Sequence, residues 1–416
     1  MSNYNLISLG KQAKKAACIL RTLSTQAKDE ALQAMADSLR QHQSQILKAN
    51  AQDVQKGKDN GLSNALVARL TLSNEKIEGM ARGIEKMIQL ADPLNQVASE
   101  WVNDAGLRIT KRIIPLGVVG MIYESRPNVT SDASALCLKS GNAVILRGGS
   151  EAIHSNQAIL AALQDGLATT QVPKEAIQLI EDTSREVATE FMMMDDYLDC
   201  LIPRGGAGLI KAVSRQATVP VIETGVGNCH LYIHKAADLT KAQDIALNAK
   251  LSYPSACNAV ETILVDQAIA EEFLPQLEKE FIEEGVTIKA VGPAQKYLAH
   301  SDIGTEEDLK EEYLDLVLAI AVVEDYQAAI DHIETYSTGH SDGIVTQDYS
   351  IAQQFMNDIN SATVYINAST RFTDGEVFGF GGEIGISTQK LHARGPMGLE
   401  ALTSYKYTVQ GDGHVR

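Results

Sequence analysis

The sequence predicts an α/β protein with two parallel-sheet domains and a small β oligomerisation element. Three observations carry this. From Ala133 onward, β-branched apolar runs alternate with helical periodicities. The alternation restarts after Asn228 and runs to about Ile366, which calls for a second α/β domain. The tail Ser404–Gln410 is a lone strand with no local partner, so it pairs with a distant element or with another subunit.

Taken in order, the first hundred residues read as helices. Ala16, Leu20, Leu23, Ala31, Met35 and Leu39 recur at helical spacing. Gly57 and Gly61 break the pattern, and residues 74–90 resume it before Pro93. Residues 108–114 then alternate at period two, residues 115–117 (Pro-Leu-Gly) form a turn, and residues 118–123 form a second strand, which predicts a hairpin. Beyond it the rhythm is strand 143–147, helix 151–168, strand 177–181, helix 186–194, strand 198–202, helix 207–214 and strand 219–222. Such alternation builds βαβ units, hence a parallel sheet covered by helices.

Composition narrows the function. The chain has 416 residues, 44% hydrophobic and 21% charged, as in an ordinary globular protein. A net charge of −17 argues against nucleic acid or an anionic membrane as the main partner. Five scattered cysteines with no Cys-x-x-Cys argue against a disulfide framework or zinc ribbon and for a reducing, cytoplasmic setting. The first twenty residues lack the apolar core of a secretory signal, and the longest apolar run, Leu316 to Val323, is too short to span a bilayer.

Cys257 stands between a Pro-Ser turn and an apolar strand, at a strand mouth. A thiolate there can attack an acyl carbon, although on spacing alone a lone cysteine is more often a small core residue. Residues 202–208 (Ile-Pro-Arg-Gly-Gly-Ala-Gly) end a strand and open a helix. Gly205 and Gly206 would let backbone N–H groups approach a pyrophosphate, or would simply connect two elements. Arg147-Gly-Gly-Ser150 has the same strand-to-helix placement, and two such loops in one sheet favour a nucleotide crevice. Asn128 offers an amide to an oxyanion, or caps a helix beginning near Thr130. Arg126 suits a carboxylate or phosphate, or is a solvated arginine. His230 and His234 flank strand-like residues, which separates the rings by about 13 Å, too far to share a metal. No other cluster has convincing ligand spacing, so no metal is expected.

Four stretches carry a resemblance that covers essentially the whole chain. They are Tyr123-Glu-Ser-Arg-Pro-Asn-Val-Thr130, Tyr253-Pro-Ser-Ala-Cys-Asn-Ala-Val-Glu-Thr262, Phe378-Gly-Phe-Gly-Gly-Glu-Ile-Gly-Ile-Ser-Thr388, and residues 392–407, beginning His392-Ala-Arg-Gly-Pro-Met. Together they resemble the aldehyde dehydrogenase superfamily, in particular its branch that reduces an acyl phosphate. The resemblance implies Cys257 as nucleophile and Asn128, with the Cys257 backbone N–H, as oxyanion donors. It implies Arg147 at the adenosine ribose, Gly205 and Gly206 at the pyrophosphate, and Glu312 at the nicotinamide ribose. Glu223 matches the general base of hydrolytic members and counts here among the cofactor-binding residues; Arg126 is assigned to substrate. Two departures matter. Lys-Pro of the family is Arg147-Gly148 here, and Ser150 replaces a glutamate common in NAD-selective members. A neutral Ser150 beside Arg147 accommodates a 2′-phosphate, so the expected cofactor is NADPH/NADP.

The implied reaction reduces L-glutamyl 5-phosphate to L-glutamate 5-semialdehyde through a Cys257 thioester, in proline biosynthesis. The implied partners are this substrate, further copies of the chain, and transiently glutamate 5-kinase. The implied domains are 1–108 with 124–228 for the dinucleotide, 229–395 for catalysis, and 109–123 with 396–416 for oligomerisation. The alternatives are a hydrolytic aldehyde dehydrogenase acting on a free aldehyde and a catalytically inactive assembly protein of the same fold.

Overall fold

The computed structural model describes residues 5–416. The chain divides into two compact units. The first takes the described residues up to Thr224 with Gly379–Gly385 and Met397–Arg416; the second takes Gly225–Phe378 and Ile386–Pro396.

Helices α1 (Leu6–Leu20), α2 (Thr25–Gln41), α3 (Gln43–Asp59), α4 (Asn64–Leu70) and α5 (Asn74–Ile88) open the first unit. Asn5, Ser24, Ser63 and Ser73 start four of them, each accepting a backbone N–H of the first turn. Gly57, expected to break a helix, lies inside α3, where an added Cβ would come 2.8 Å from Leu62 Cδ1. Close packing explains that glycine; Gly61, with φ +76°, ends the helical segment.

Next come β1 (Val97–Val102), β2 (Arg108–Pro115), β3 (Val118–Tyr123), α6 (Asn128–Lys139), β4 (Ala143–Gly148) and α7 (Ile153–Leu167). They are followed by β5 (Ile177–Leu179), α8 (Arg185–Met192), β6 (Cys200–Arg204) and α9 (Ala207–Gln216). The expected hairpin does not form. β3 lies between β4 and β6 in a parallel sheet of order β5-β4-β3-β6. β2 instead joins β1 and the terminal strand Thr403–Gln410 in a separate antiparallel sheet. The expected β element 109–123 is thereby corrected: only its β2 part shares a sheet with the tail. The chain changes sheets at Gly117, with φ +131° and its N–H on Asn142 Oδ1 at 2.8 Å. The expected strand at 219–222 shrinks to one bridge, Leu201 to Val221, because Pro220 has no N–H to donate.

Buried cations brace this unit. Lys28 pairs with Asp92 and donates to the Lys139 carbonyl at 3.1 Å. Lys139 pairs with Asp29 at 2.5 Å and donates to the Ile88 carbonyl at 3.0 Å. These contacts fix α6, whose first residue is Asn128, against α2 and the end of α5.

The second unit runs β7 (Cys229–Ile233), α10 (Leu239–Leu251), β8 (Val260–Asp266), α11 (Ala270–Glu283), β9 (Thr287–Val291) and β10 (Asp302–Gly304). It continues through β11 (Val317–Val323), α12 (Tyr326–Tyr336), β12 (Ser341–Val345), α13 (Tyr349–Asp358) and β13 (Thr363–Ile366). Its parallel sheet has the order β10-β9-β11-β8-β7-β12-β13. β7 and β8 are buried along their whole length, as expected for strands covered on both faces. Leu231, Ile263, Leu274 and Phe281 belong to one apolar cluster; Tyr232, Leu264, Ile333 and Phe355 belong to another.

Candidate active site

In the first unit, the carboxyl ends of β3, β4 and β6 carry three loops, the usual place for a ligand in an open parallel sheet. Asn128 follows β3 after the loop 124–127. Helix α6 begins at this residue with Pro127 as its cap, so the expected capping role is not taken. The Asn128 amide donates instead to Asp132 Oδ2 at 2.9 Å, and the side chain stays exposed. Arg126 is half-buried in the same loop, its carbonyl accepting from Val129 N–H at 3.0 Å. Between Arg126 and β3, Ser125 adopts φ +41°. Glu151 holds that turn, accepting from Ser125 N–H at 2.6 Å and its hydroxyl at 2.8 Å.

Arg147 ends β4 half-buried. One guanidinium nitrogen donates to the Thr183 carbonyl at 2.7 Å, while Nε is buried without a partner among the described residues. Burial lowers its pKa, and Glu151, Asp182 and Glu124 oppose that. Ser150 is exposed and opens a short 3₁₀ turn. At Gly149 an added Cβ would come 2.2 Å from a Glu151 carboxylate oxygen.

Gly205 and Gly206 precede α9 and are exposed. Gly206 N–H donates to Glu124 Oε2 at 3.0 Å, and a Cβ at Gly205 would come 2.4 Å from the same oxygen. The helix start thus already holds an anion, the Glu124 carboxylate, in the position expected for a pyrophosphate. Glu223 is half-buried beside Thr224, whose hydroxyl donates to the Pro203 carbonyl at 2.9 Å.

In the second unit, Cys257 lies in the turn just before β8 and is half-buried. Its carbonyl accepts the Cys229 thiol at 3.3 Å. Gly227 presses on the same peptide: an added Cβ would lie 1.5 Å from the Cys257 carbonyl oxygen. Gly227 N–H donates to Glu312 Oε1 at 2.6 Å, so Glu312 is tied to the segment packed on Cys257, and burial raises its pKa. Asn258 anchors the other side through the carbonyls of Arg371 and Thr373 at 3.3 and 2.8 Å. Cys137, Cys200 and Cys229 are buried, and desolvation raises each thiol's pKa, that of Cys200 to about 12.

Sequence reasoning missed several partners. Glu124 and Glu151 reach into the two glycine loops, and nothing in the local sequence ties either carboxylate to its glycines. Lys250 and Glu261 form a fully buried pair at 2.6 Å. Glu261 also accepts Leu314 N–H at 3.2 Å, which fixes the segment bearing Glu312; burial raises its pKa to about 7 and lowers that of Lys250. Its signal was available: a carboxylate inside the apolar run of β8 requires a buried cation.

The donor set fits a nicotinamide dinucleotide. Glycines allow close approach to the backbone at a helix start, that start accommodates an anion, and Arg147 carries a buried N–H with no partner among the described residues. The chain is similar to known proteins along its whole length. The model of the Aldehyde dehydrogenase family matches residues 5–292 and 306–408. The Gamma-glutamyl phosphate reductase of Clostridium beijerinckii is 52% identical over 411 residues, 99% of each chain. That of Heliobacterium modesticaldum is 53% identical over 414 residues, again 99% of each. The crystal structure of the Thermotoga maritima Gamma-glutamyl phosphate reductase superposes with a TM-score of 0.97 at 46% identity, covering 99% of this chain and 100% of that one. An acetylating aldehyde dehydrogenase from Geobacillus thermoglucosidasius, at 18% identity and a TM-score of 0.70, shares the fold. The chain is therefore an oxidoreductase acting at an aldehyde group with a nicotinamide cofactor. It belongs to the aldehyde dehydrogenase family and, within it, to the γ-glutamyl phosphate reductases.

Proposed function

We propose that the chain reduces L-glutamyl 5-phosphate to L-glutamate 5-semialdehyde with NADPH, as a cytoplasmic enzyme of proline biosynthesis. The observation that carries this is the clamped Cys257 peptide, pressed by Gly227 and bonded by Cys229, at a thiol more accessible than the three entombed ones. Cys257 Sγ attacks the acyl carbon. The C–S bond forms and the C–O bond to phosphate breaks, phosphate leaving with the bonding pair. The Asn128 amide and the Cys257 N–H take the charge that develops on the acyl oxygen. When bound, the nicotinamide supplies the hydride that brings the thioester to the aldehyde level. The C–S bond then breaks and the thiolate returns to Cys257. Arg126 orients the substrate, and Glu312 holds the loop bearing Gly227 until the ribose competes for it. Arg147, with Ser150, reads the 2′-phosphate, while Gly205 and Gly206 exchange the Glu124 carboxylate for the pyrophosphate.

The test is the reverse reaction. Glutamate 5-semialdehyde should reduce NADP⁺ only with phosphate or arsenate present, and Cys257→Ala should remove several orders of magnitude of rate. Glu223→Gln should lower this rate modestly, through nicotinamide placement. Rapid NADP⁺ reduction without either anion, abolished by Glu223→Gln, would establish a hydrolytic enzyme instead.

A further inference from the structure

A cleft of about 330 Å³ opens in the first unit beside Asn128, at the small end of the range for small-molecule sites. Its lining is not uniform. Arg69, at the end of α4, and Lys76, in the first turns of α5, bring two cations. Asp132, one turn along α6 from Asn128, brings one carboxylate. Leu72 and Met80, both buried, supply an apolar floor. Gly79 lines it too, and an added Cβ there would meet nothing within 4 Å, which keeps the space open.

We propose that this cleft is the specificity subsite for the α-amino-acid end of the substrate, with Arg69 and Lys76 taking the α-carboxylate and Asp132 the α-ammonium group. The proposal rests on the reading above and names what makes it selective. Two cations facing one carboxylate complement a zwitterion. A phosphate alone would meet Asp132 unfavourably, and an aliphatic acyl chain would leave all three charges unsatisfied. Arg69 forms no ion pair among the described residues, and its planar fork suits bidentate capture of a carboxylate. Lys76 is anchored by the carbonyls of Ala68 at 3.1 Å and Thr71 at 2.5 Å, so its charge has a set position. Among the described residues, Asp132 accepts from the Asn128 amide at 2.9 Å and the Ser131 hydroxyl at 3.3 Å and forms no ion pair. Burial pushes its pKa up to about 6, and Arg204, the cation opposing that, is engaged with Glu383 at 3.7 Å. An incoming ammonium supplies the partner this carboxylate lacks. Because Asp132 also holds Asn128, the same contact links recognition of the amino group to placement of the oxyanion donor.

The experiment compares glutamate 5-semialdehyde with pentanal in phosphate-dependent NADP⁺ reduction, and follows binding of L-glutamate, glutarate and 4-aminobutyrate by thermal shift. Arg69→Ala should cut the kcat/KM preference for the amino-acid aldehyde over pentanal by roughly tenfold to a hundredfold. It should also erase discrimination between L-glutamate and 4-aminobutyrate, which lacks the α-carboxylate. Asp132→Asn should erase discrimination between L-glutamate and glutarate, which lacks the amine. A purely structural Asp132 would slow both aldehydes equally and leave that discrimination intact, overturning the ammonium assignment. If Arg69 instead binds the phosphate, Arg69→Ala raises the KM for phosphate with either aldehyde and leaves the preference unchanged, overturning the carboxylate assignment. Arg69→Lys should recover part of the preference. A parent enzyme with no phosphate-dependent activity would refute the reaction itself, separately from the subsite.

Discussion

Arg147 shows how one side chain serves two masters. It donates to the carbonyls of Thr183 and Ser184 at 2.7 and 3.4 Å, while its buried Nε has no partner among the described residues. Arg147→Ala therefore loosens the segment leading into α8 and should weaken both cofactors somewhat. The 2′-phosphate contact belongs to NADPH alone. The loss for NADPH should exceed that for NADH by about 1.5–3 kcal/mol. Fluorescence titration of both cofactors with the parent and the variant measures the difference; equal losses would leave Arg147 a structural residue. At this scale the sequence was legible where chemistry is local. Cys257 stood out because it precedes its strand, whereas Cys200 and Cys229 are buried first residues of theirs and Cys137 lies inside a helix. Partners brought from afar left no trace. Glu124 reaches Gly206 across 82 residues, and Glu312 reaches Gly227 across 85.

Among the elements, the loop 225–228 couples most tightly to the nucleophile. Gly227 needs no positive φ; its constraint is the Cys257 backbone, whose carbonyl oxygen and carbon would lie 1.5 and 2.4 Å from an added Cβ. Neither atom belongs to a flexible side chain, so Gly227→Ala must move one loop or the other. The expected cost is about 1–3 kcal/mol of stability. A nucleophile displaced by about an ångström loses on the order of a hundredfold in turnover. Thermal unfolding with steady-state rates checks both, and a variant as stable and active as its parent would contradict the packing described. The elements themselves were largely legible, because a βαβ rhythm repeats its signal. The misread hairpin shows the limit. A Pro-Leu-Gly turn between two apolar runs looks the same whether the chain folds back or crosses to another sheet. The discriminating signal was composition: β2 mixes charged with apolar residues and is mostly half-buried or exposed, whereas β3 is buried at every position, as a central parallel strand must be.

At the scale of the molecule, the antiparallel sheet of β1, β2 and the terminal strand carries apolar surface that the described chain leaves uncovered. Val97, Trp101, Val102, Tyr405, Tyr407 and Val409 are all exposed. Trp101 and Tyr407 pack edge to face at 6.1 Å, and Tyr405 lies under Lys111 at 3.8 Å. Aromatic side chains so placed are typical anchors of a protein interface. Burying them suits the homo-oligomer that the resemblance implies, and we propose this sheet as the surface of self-association. The sheet's own pairing runs from Thr403 opposite Pro115 to Gln410 opposite Arg108, so it forms within one chain before any partner arrives. Trp101→Glu with Tyr407→Glu places carboxylates where burial would desolvate them, at a cost of several kcal/mol for the assembly, while leaving the ladder of backbone hydrogen bonds intact. Sedimentation or light scattering should find the parent as an oligomer and the double variant as a folded monomer with native circular dichroism. An unchanged mass for the double variant would move the interface elsewhere.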